Sequence, residues 1–316
     1  MSRSATAAGV PAGTPALTQF LDADAQLRAS LPASAREPET LRELYRRMVE
    51  TRIFDKKAVA LQRSGRLDRY TACRGQEAIV AAIALSLRAD DRFVAADREH
   101  TLPPLRDAGL LDVLRHWSAA SARQAASPSM ALARARSLAA DLSPEQPSPV
   151  VLAPGDDDIV DAPLVCEALR AAPHAGLPLI FIVPRRQWRI ADDVAPPASR
   201  IAAAGIIGET VDGNDVIAMH DALQRGVAAA RGGRGPLLIE AITCPLRERQ
   251  PLRDEQHPPR SDAELRAAWE RCPIKRLKRY LESRQLWSVA EEEALLLAAG
   301  EQAAQAARVF AGGAPA

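Results

Sequence analysis

Two charged clusters flank one apolar stretch of the chain, PGDDDIVDAPLVCEALRAAPHAGLPLIFIVPRRQW, residues 154–188. Asp156, Asp157, Asp158 and Asp161 follow a short apolar run, and Arg185 and Arg186 end the next one. Carboxylates at a strand end suit a hard cation such as Mg²⁺, which takes oxygen ligands in octahedral geometry. A guanidinium has donors and no acceptor, so it binds oxyanions and cannot ligate a metal. Together the clusters read as a place for a phosphate-bearing ligand. Asp156 is then a metal ligand or an arginine partner, or else the N-cap of the next helix. Asp157, Asp158 and Asp161 read as acids favoured ahead of a helix N-terminus. Arg185 and Arg186 read as anion binders or as the ion-paired end of a strand.

The elements that position these clusters follow from hydrophobic periodicity. Leu41, Leu44, Tyr45, Met48, Val49, Phe54, Ala58 and Leu61 recur at spacings of three and four, which predicts a helix over 39–63 stopped by Gly65. GQEAIVAAIALSL (75–87) predicts a buried helix, and LLDVLRHW (110–117) another. DRFVAADREH (91–100), VVLA (150–153), LPLIFIV (177–183), GETVDGNDV (208–216) and GPLLIEAITC (235–244) each contain a strand. Helices are expected at 131–142, 162–172, 199–206 and from about 216 to 231, the last capped by Asn214 or Asp215. Three amphipathic helices, starting near residues 262, 272 and 288, close the chain. Strands that are continuous apolar runs alternating with helices imply a doubly wound α/β fold, a parallel sheet flanked by helices. Ligands bind such sheets at the carboxyl ends of the strands. Both charged clusters fall at such ends.

Composition excludes several classes. With 41 Lys and Arg against 40 Asp and Glu, the net charge is +1, and no basic footprint for nucleic acid is present. Cys73, Cys166, Cys244 and Cys272 form no CxxC pair, and no His lies at metal-ligand spacing from them. No apolar run reaches the length of a membrane span, and the first residues lack a signal core, so a cytoplasmic protein is expected. Residues 1–37, rich in Ala, Pro and Ser, are expected to form a flexible arm, and 38–310 a single α/β domain that includes the C-terminal helices.

The wording of several segments resembles the alpha subunit of the thiamine-diphosphate-dependent, decarboxylating component of 2-oxoacid dehydrogenase complexes, of the pyruvate or branched-chain type. The resemblance is carried by LYRRMVETRIFDKKAVALQRSGRL (44–67), GQEA (75–78), DREH (97–100), VDGNDV (211–216), GPLLIEAIT (235–243) and SDAELRAAWERCPIKRLKRYLESRQLW (261–287). It implies a thiamine-diphosphate-binding fold, an α2β2 assembly with a beta subunit, and acyl transfer to a lipoyl-bearing acyltransferase. It also implies that the cofactor does the hard chemistry while the protein positions it. Carried over by position, Arg98 would contact the diphosphate. Gly155 and Asp156 would open its metal-binding motif, and Trp188 would offer a backbone carbonyl. His100 would lie near the active-site loop, where Arg249 takes the place of a histidine and Gln250 that of a phosphorylatable serine in some relatives.

The chain departs from the family pattern at this motif. The family reads Gly-Asp-Gly and later Asn-Asn. This chain reads Gly155-Asp156-Asp157, with Arg185 and Arg186 in the asparagine positions. Arg186 cannot replace an oxygen ligand, and Asp157 adds a side chain where backbone should approach the diphosphate. Asp97 stands where the family has Tyr ahead of Arg98. Two readings stay open. Either an arginine takes the place of Mg²⁺ against the diphosphate, or the subunit is a non-catalytic partner in its complex. A third, an α/β module for another phosphate ligand held by Arg98, Arg185 and Arg186, uses the same cations.

Overall fold

The protein is described from a computed structural model, which describes residues 17–67, 70, 72–95, 109–122, 137, 149–153, 177–186, 207–244, 246 and 261–312. The expected helices at 131–142, 162–172 and 199–206 lie outside the described residues, apart from residue 137, which is helical.

Five strands form one parallel sheet: β1 (Arg92–Ala95), β2 (Val150–Ala153), β3 (Leu179–Arg186), β4 (Ile207–Asp212) and β5 (Leu237–Thr243). Their order across the sheet is β1-β2-β3-β5-β4. Every neighbouring pair is parallel. The apolar runs that predicted strands supply the interior. Val151, Ile180, Ile182, Val211, Ile239 and Ala241 form one buried cluster with Ile79 and Ile83 of α2 (Glu77–Ser86) and with Met219, Leu223 and Val227 of α4 (Val216–Arg231). These helices cover one face of the sheet.

Outside them lies α1 (Pro38–Arg63), whose eight predicted core residues are all buried. Its first half packs with Val216, Ile217, and Leu277 and Leu281 of α6 (Pro273–Ser283). Its second half packs with Val113 and Leu114 of α3 (Leu110–Ala122) and with Ala306 and Ala307 of α7 (Val289–Gly312). Gly65 follows α1 with φ +71°, the left-handed conformation that favours glycine after a helix end. Ser261 and Glu264 form a capping box that starts α5 (Asp262–Glu270).

One expectation needs correction. Residues 17–37, expected to belong to a flexible arm, are docked. Thr18 pairs in parallel with Val211 at the open edge of β4. Its N–H donates to Thr210 O at 2.9 Å and its carbonyl accepts from Asp212 N at 3.0 Å. Leu21, Ala25 and Ala35 are buried in the α1 cluster, with Phe20, Leu27 and Leu31 packed against it. A few apolar residues in an Ala/Ser/Pro-rich segment suffice, because the exposed edge of β4 supplies backbone partners.

Candidate functional site

Ala95, Ala153, Arg186, Thr243 and Asp212 are the last residues of five parallel strands, so the chain leaves the sheet at one common edge. The segments expected to hold Arg98, His100, Gly155, Asp156, Trp188 and Arg249 begin at this edge. Those six residues lie outside the described ones, as does the side chain of Arg186. The backbone of Arg186 is placed on the last rung of β3, opposite Thr243, with Arg185 opposite Ile242.

Arg185 has a defined partner. Its Nη1 donates to Glu240 Oε1 at 3.2 Å. Glu240 is fully buried in β5, and its Oε2 accepts from Thr210 Oγ1 of β4 at 3.0 Å. Thr243 Oγ1 donates to the Arg185 carbonyl at 3.3 Å. One buried acid therefore ties β3, β5 and β4 together at their carboxyl ends, and the charge of Arg185 is met inside the protein.

The turn after β4 is the second anchor of this edge. Asp212 accepts from Arg276 Nη1 at 2.7 Å and from Asn214 N at 2.9 Å. Gly213 N donates to Ile242 O at 2.7 Å. A Cβ at Gly213 would lie 2.6 Å from Thr243 Cγ2 and 2.9 Å from Ile242 O, so the turn approaches β5 more closely than any side chain permits. Asn214 Nδ2 donates to Gly75 O at 2.7 Å, and Asn214 Oδ1 accepts from Cys244 N at 2.6 Å. Asp215 caps α4 through Ile217 N at 3.1 Å. Its other oxygen accepts from Phe20 N at 2.7 Å and Leu21 N at 2.8 Å. Burial, and next the charge of Asp212, push the Asp215 carboxyl up to about 6, against the pull of the Leu21 and Phe20 N–H groups and of Arg276.

GQEA opens α2 through the same network. Glu77, fully buried, accepts from Arg52 Nε at 2.8 Å and from Gly75 N at 2.9 Å. Burial raises its carboxyl pKa, opposed by Arg52. Arg52 also reaches Cys272 Sγ at 3.2 Å. Asp55 accepts from Tyr70 Oη at 3.0 Å and Cys73 N at 2.8 Å. Sequence reasoning assigned Asn214 only a possible cap. Its bridging role, and those of Glu240, Arg52 and Arg276, were missed. The signals were present: an acid inside the apolar run LLIEAIT, and the quoted segments VDGNDV and GQEA.

The donor set at the end of β3 decides what fits there. Positions 185 and 186 present guanidinium groups, which cannot ligate Mg²⁺, and Glu240 is already engaged by Arg185 and Thr210. These residues do not fit a Mg²⁺ ligand role. Among the described residues, no group of three or more His, Cys, Asp and Glu could hold a metal ion. No helix among them is long and apolar enough to cross a membrane.

Comparison with known proteins places the chain. The dehydrogenase E1 component family matches residues 163–308. The chain is 33% identical over 279 residues to the 3-methyl-2-oxobutanoate dehydrogenase subunit alpha of Mycobacterium tuberculosis, covering 81% of this chain and 74% of that one. It is 29% identical over 287 residues to the pyruvate dehydrogenase E1 component subunit alpha of Bacillus subtilis, covering 85% and 77%. The corresponding subunit of Staphylococcus aureus is 28% identical over 278 residues, covering 82% and 74%.

Proposed function

The chain belongs to the dehydrogenase E1 component family, and from that premise we propose that it is the alpha-type subunit of a pyruvate or branched-chain 2-oxoacid dehydrogenase, acting in oxidative decarboxylation with acyl transfer to a lipoyl domain. The observation that carries this reading is 33% identity spread over 81% of the chain. The parallel sheet and its common carboxyl edge agree with it, since such edges are where α/β folds bind ligands.

The family implies thiamine diphosphate, and we place the diphosphate at this edge. Arg98, Gly155, Asp156, Arg186 and Trp188 are its proposed contacts, and His100 and Arg249 lie toward the reacting end. Arg186 offers a bidentate fork for phosphate oxygens. Arg185 supports it from the neighbouring rung, held by Glu240. The end of β3 offers Mg²⁺ no ligand, and arginine is the cation there. The partners are a beta subunit in an α2β2 assembly and a lipoyl-bearing acyltransferase.

A second reading, a non-catalytic subunit that steadies a complex, is favoured by one observation: Glu240 engages one of the two cations at the motif. Co-expression with a beta-type E1 subunit separates the readings. An active alpha-type subunit gives an α2β2 particle that releases CO₂ from pyruvate or 3-methyl-2-oxobutanoate. An α2β2 particle without CO₂ release supports the second reading. Failure to assemble contradicts both.

A further inference from the structure

A basic pocket lies apart from the strand edge. The last turns of α1 and the turn before α2 border a cleft of about 520 Å³, lined among the described residues by Lys56, Val59, Ala60, Arg63, Ser64 and Arg74. Clefts that hold small ligands span roughly 300–1,000 Å³. Three of these side chains are cations, and no acid is among them.

Among the described residues, these cations lack the acidic partners seen elsewhere on the surface. Arg42, Arg46 and Arg47 on the same helix each bridge a glutamate. Lys56, Arg63 and Arg74 bridge no described acid. Arg74 is partly buried, and its Nε is shut off from water with no hydrogen-bond partner among the described residues. A buried guanidinium donor without an acceptor is costly, and it is satisfied when an oxyanion enters. Arg74 acts on the carboxyl of Asp55, where burial raises the pKa and Arg74 helps to lower it. Asp55 does not bond Arg74; its bonded oxygen is held by Tyr70 and Cys73.

The geometry is that of a two-part site. Lys56 and Arg63 are two turns apart on one face of α1, with Val59 and Ala60 between them. Arg74 faces them from the turn before α2. The carbonyls that end α1 disfavour an anion, and Arg63 in the last turn offsets them. Ser64 Oγ donates to Leu61 O at 2.9 Å, so the cations supply the donors. We propose that this pocket binds a small phosphomonoester, its phosphate between Arg74, Arg63 and Lys56 and its organic body against Val59 and Ala60. The Arg74 carbonyl accepts from Leu246 N at 3.5 Å, so an occupant that orders Arg74 bears on the segment following β5.

The test is calorimetric titration of the full chain with glycerol 3-phosphate at constant ionic strength, with glycerol as the uncharged control. Saturable binding is expected for the phosphate alone. Arg74→Gln, Arg63→Gln and Lys56→Gln each weaken it by about tenfold or more, the loss of one charge-assisted hydrogen bond. Lys56 and Arg63 are exposed, so their variants keep the test valid if Arg74→Gln does not fold. Arg186→Gln leaves this binding unchanged. Absence of saturable binding overturns the proposal. So does binding lost in Arg186→Gln but kept in the three pocket variants. Binding by the free chain that disappears in the complex with a beta-type subunit assigns the pocket to a subunit contact and overturns it equally.

Discussion

Asp215→Ala probes the junction of the docked N-terminal segment, the turn after β4 and α4. The carboxylate is fully buried and accepts from Ile217 N at 3.1 Å, Phe20 N at 2.7 Å and Leu21 N at 2.8 Å. Loss of an N-cap costs about 1 kcal/mol, and each of two N–H groups left without an acceptor about 1–3 kcal/mol, for a gross loss of about 3–7 kcal/mol. An opposing effect depends on pH. The folded-state pKa of Asp215, about 6, lies above that of a free carboxyl, so the fold favours the protonated form. Its contribution is complete below the ordinary carboxylate value and is lost as pH rises through about 6. Two pKa units at 1.36 kcal/mol each amount to about 3 kcal/mol. The variant carries no such burden at neutral pH. Its penalty should therefore be about 3–7 kcal/mol near pH 4 and smaller by about 3 kcal/mol above about pH 7. Urea unfolding of both proteins at the two pH values measures the difference. Equal penalties, or a larger one at neutral pH, would show that Asp215 is not held protonated by the fold. Hydrogen exchange gives an independent check, since the Phe20 and Leu21 amides should lose protection before those of β5.

Two further substitutions test the strand edge. Gly213→Ala places a methyl 2.6 Å from Thr243 Cγ2 and 2.9 Å from Ile242 O, and should cost about 1–3 kcal/mol or more in chemical unfolding; an unchanged midpoint would show that the turn can move away from β5. Glu240→Gln keeps an acceptor for Thr210 but leaves Arg185 without its buried carboxylate, and should cost about 3 kcal/mol. Adding Arg185→Met should restore part of that loss, and a double variant as unstable as the sum of the two singles would deny the pair.

What could be read from the sequence was what periodicity controls. The stripe on α1 gave the helix and its buried face, because the spacing of Leu41 through Leu61 allows one amphipathic solution. The strands were found from apolar runs, but β3 was expected to stop at Val183 and continues to Arg186. Pro184, Arg185 and Arg186 look like a loop, yet their rungs pair with Ala241, Ile242 and Thr243. Glu240 is the reason the charge can stay in the ladder, and a partner 55 residues away leaves no periodic trace. Asp215 was legible as a cap because Asp before an apolar helix is a local signal. Its bonds to Phe20 and Leu21 span 195 and 194 residues and were not legible. The same holds for Asn214, whose two contacts depend on how α2 and β5 meet. The candidate site was legible only as segments converging on one sheet edge.

The most direct measurement is calorimetric titration of thiamine diphosphate, with Mg²⁺ and with a chelator, into the chain assembled with its beta-type partner. Saturable binding independent of Mg²⁺ is expected, weakened by about tenfold or more in Arg186→Gln. Strict dependence on Mg²⁺ would contradict the assignment of Arg186 to the ligand position. A well-formed α2β2 complex that binds no thiamine diphosphate would contradict the catalytic role itself.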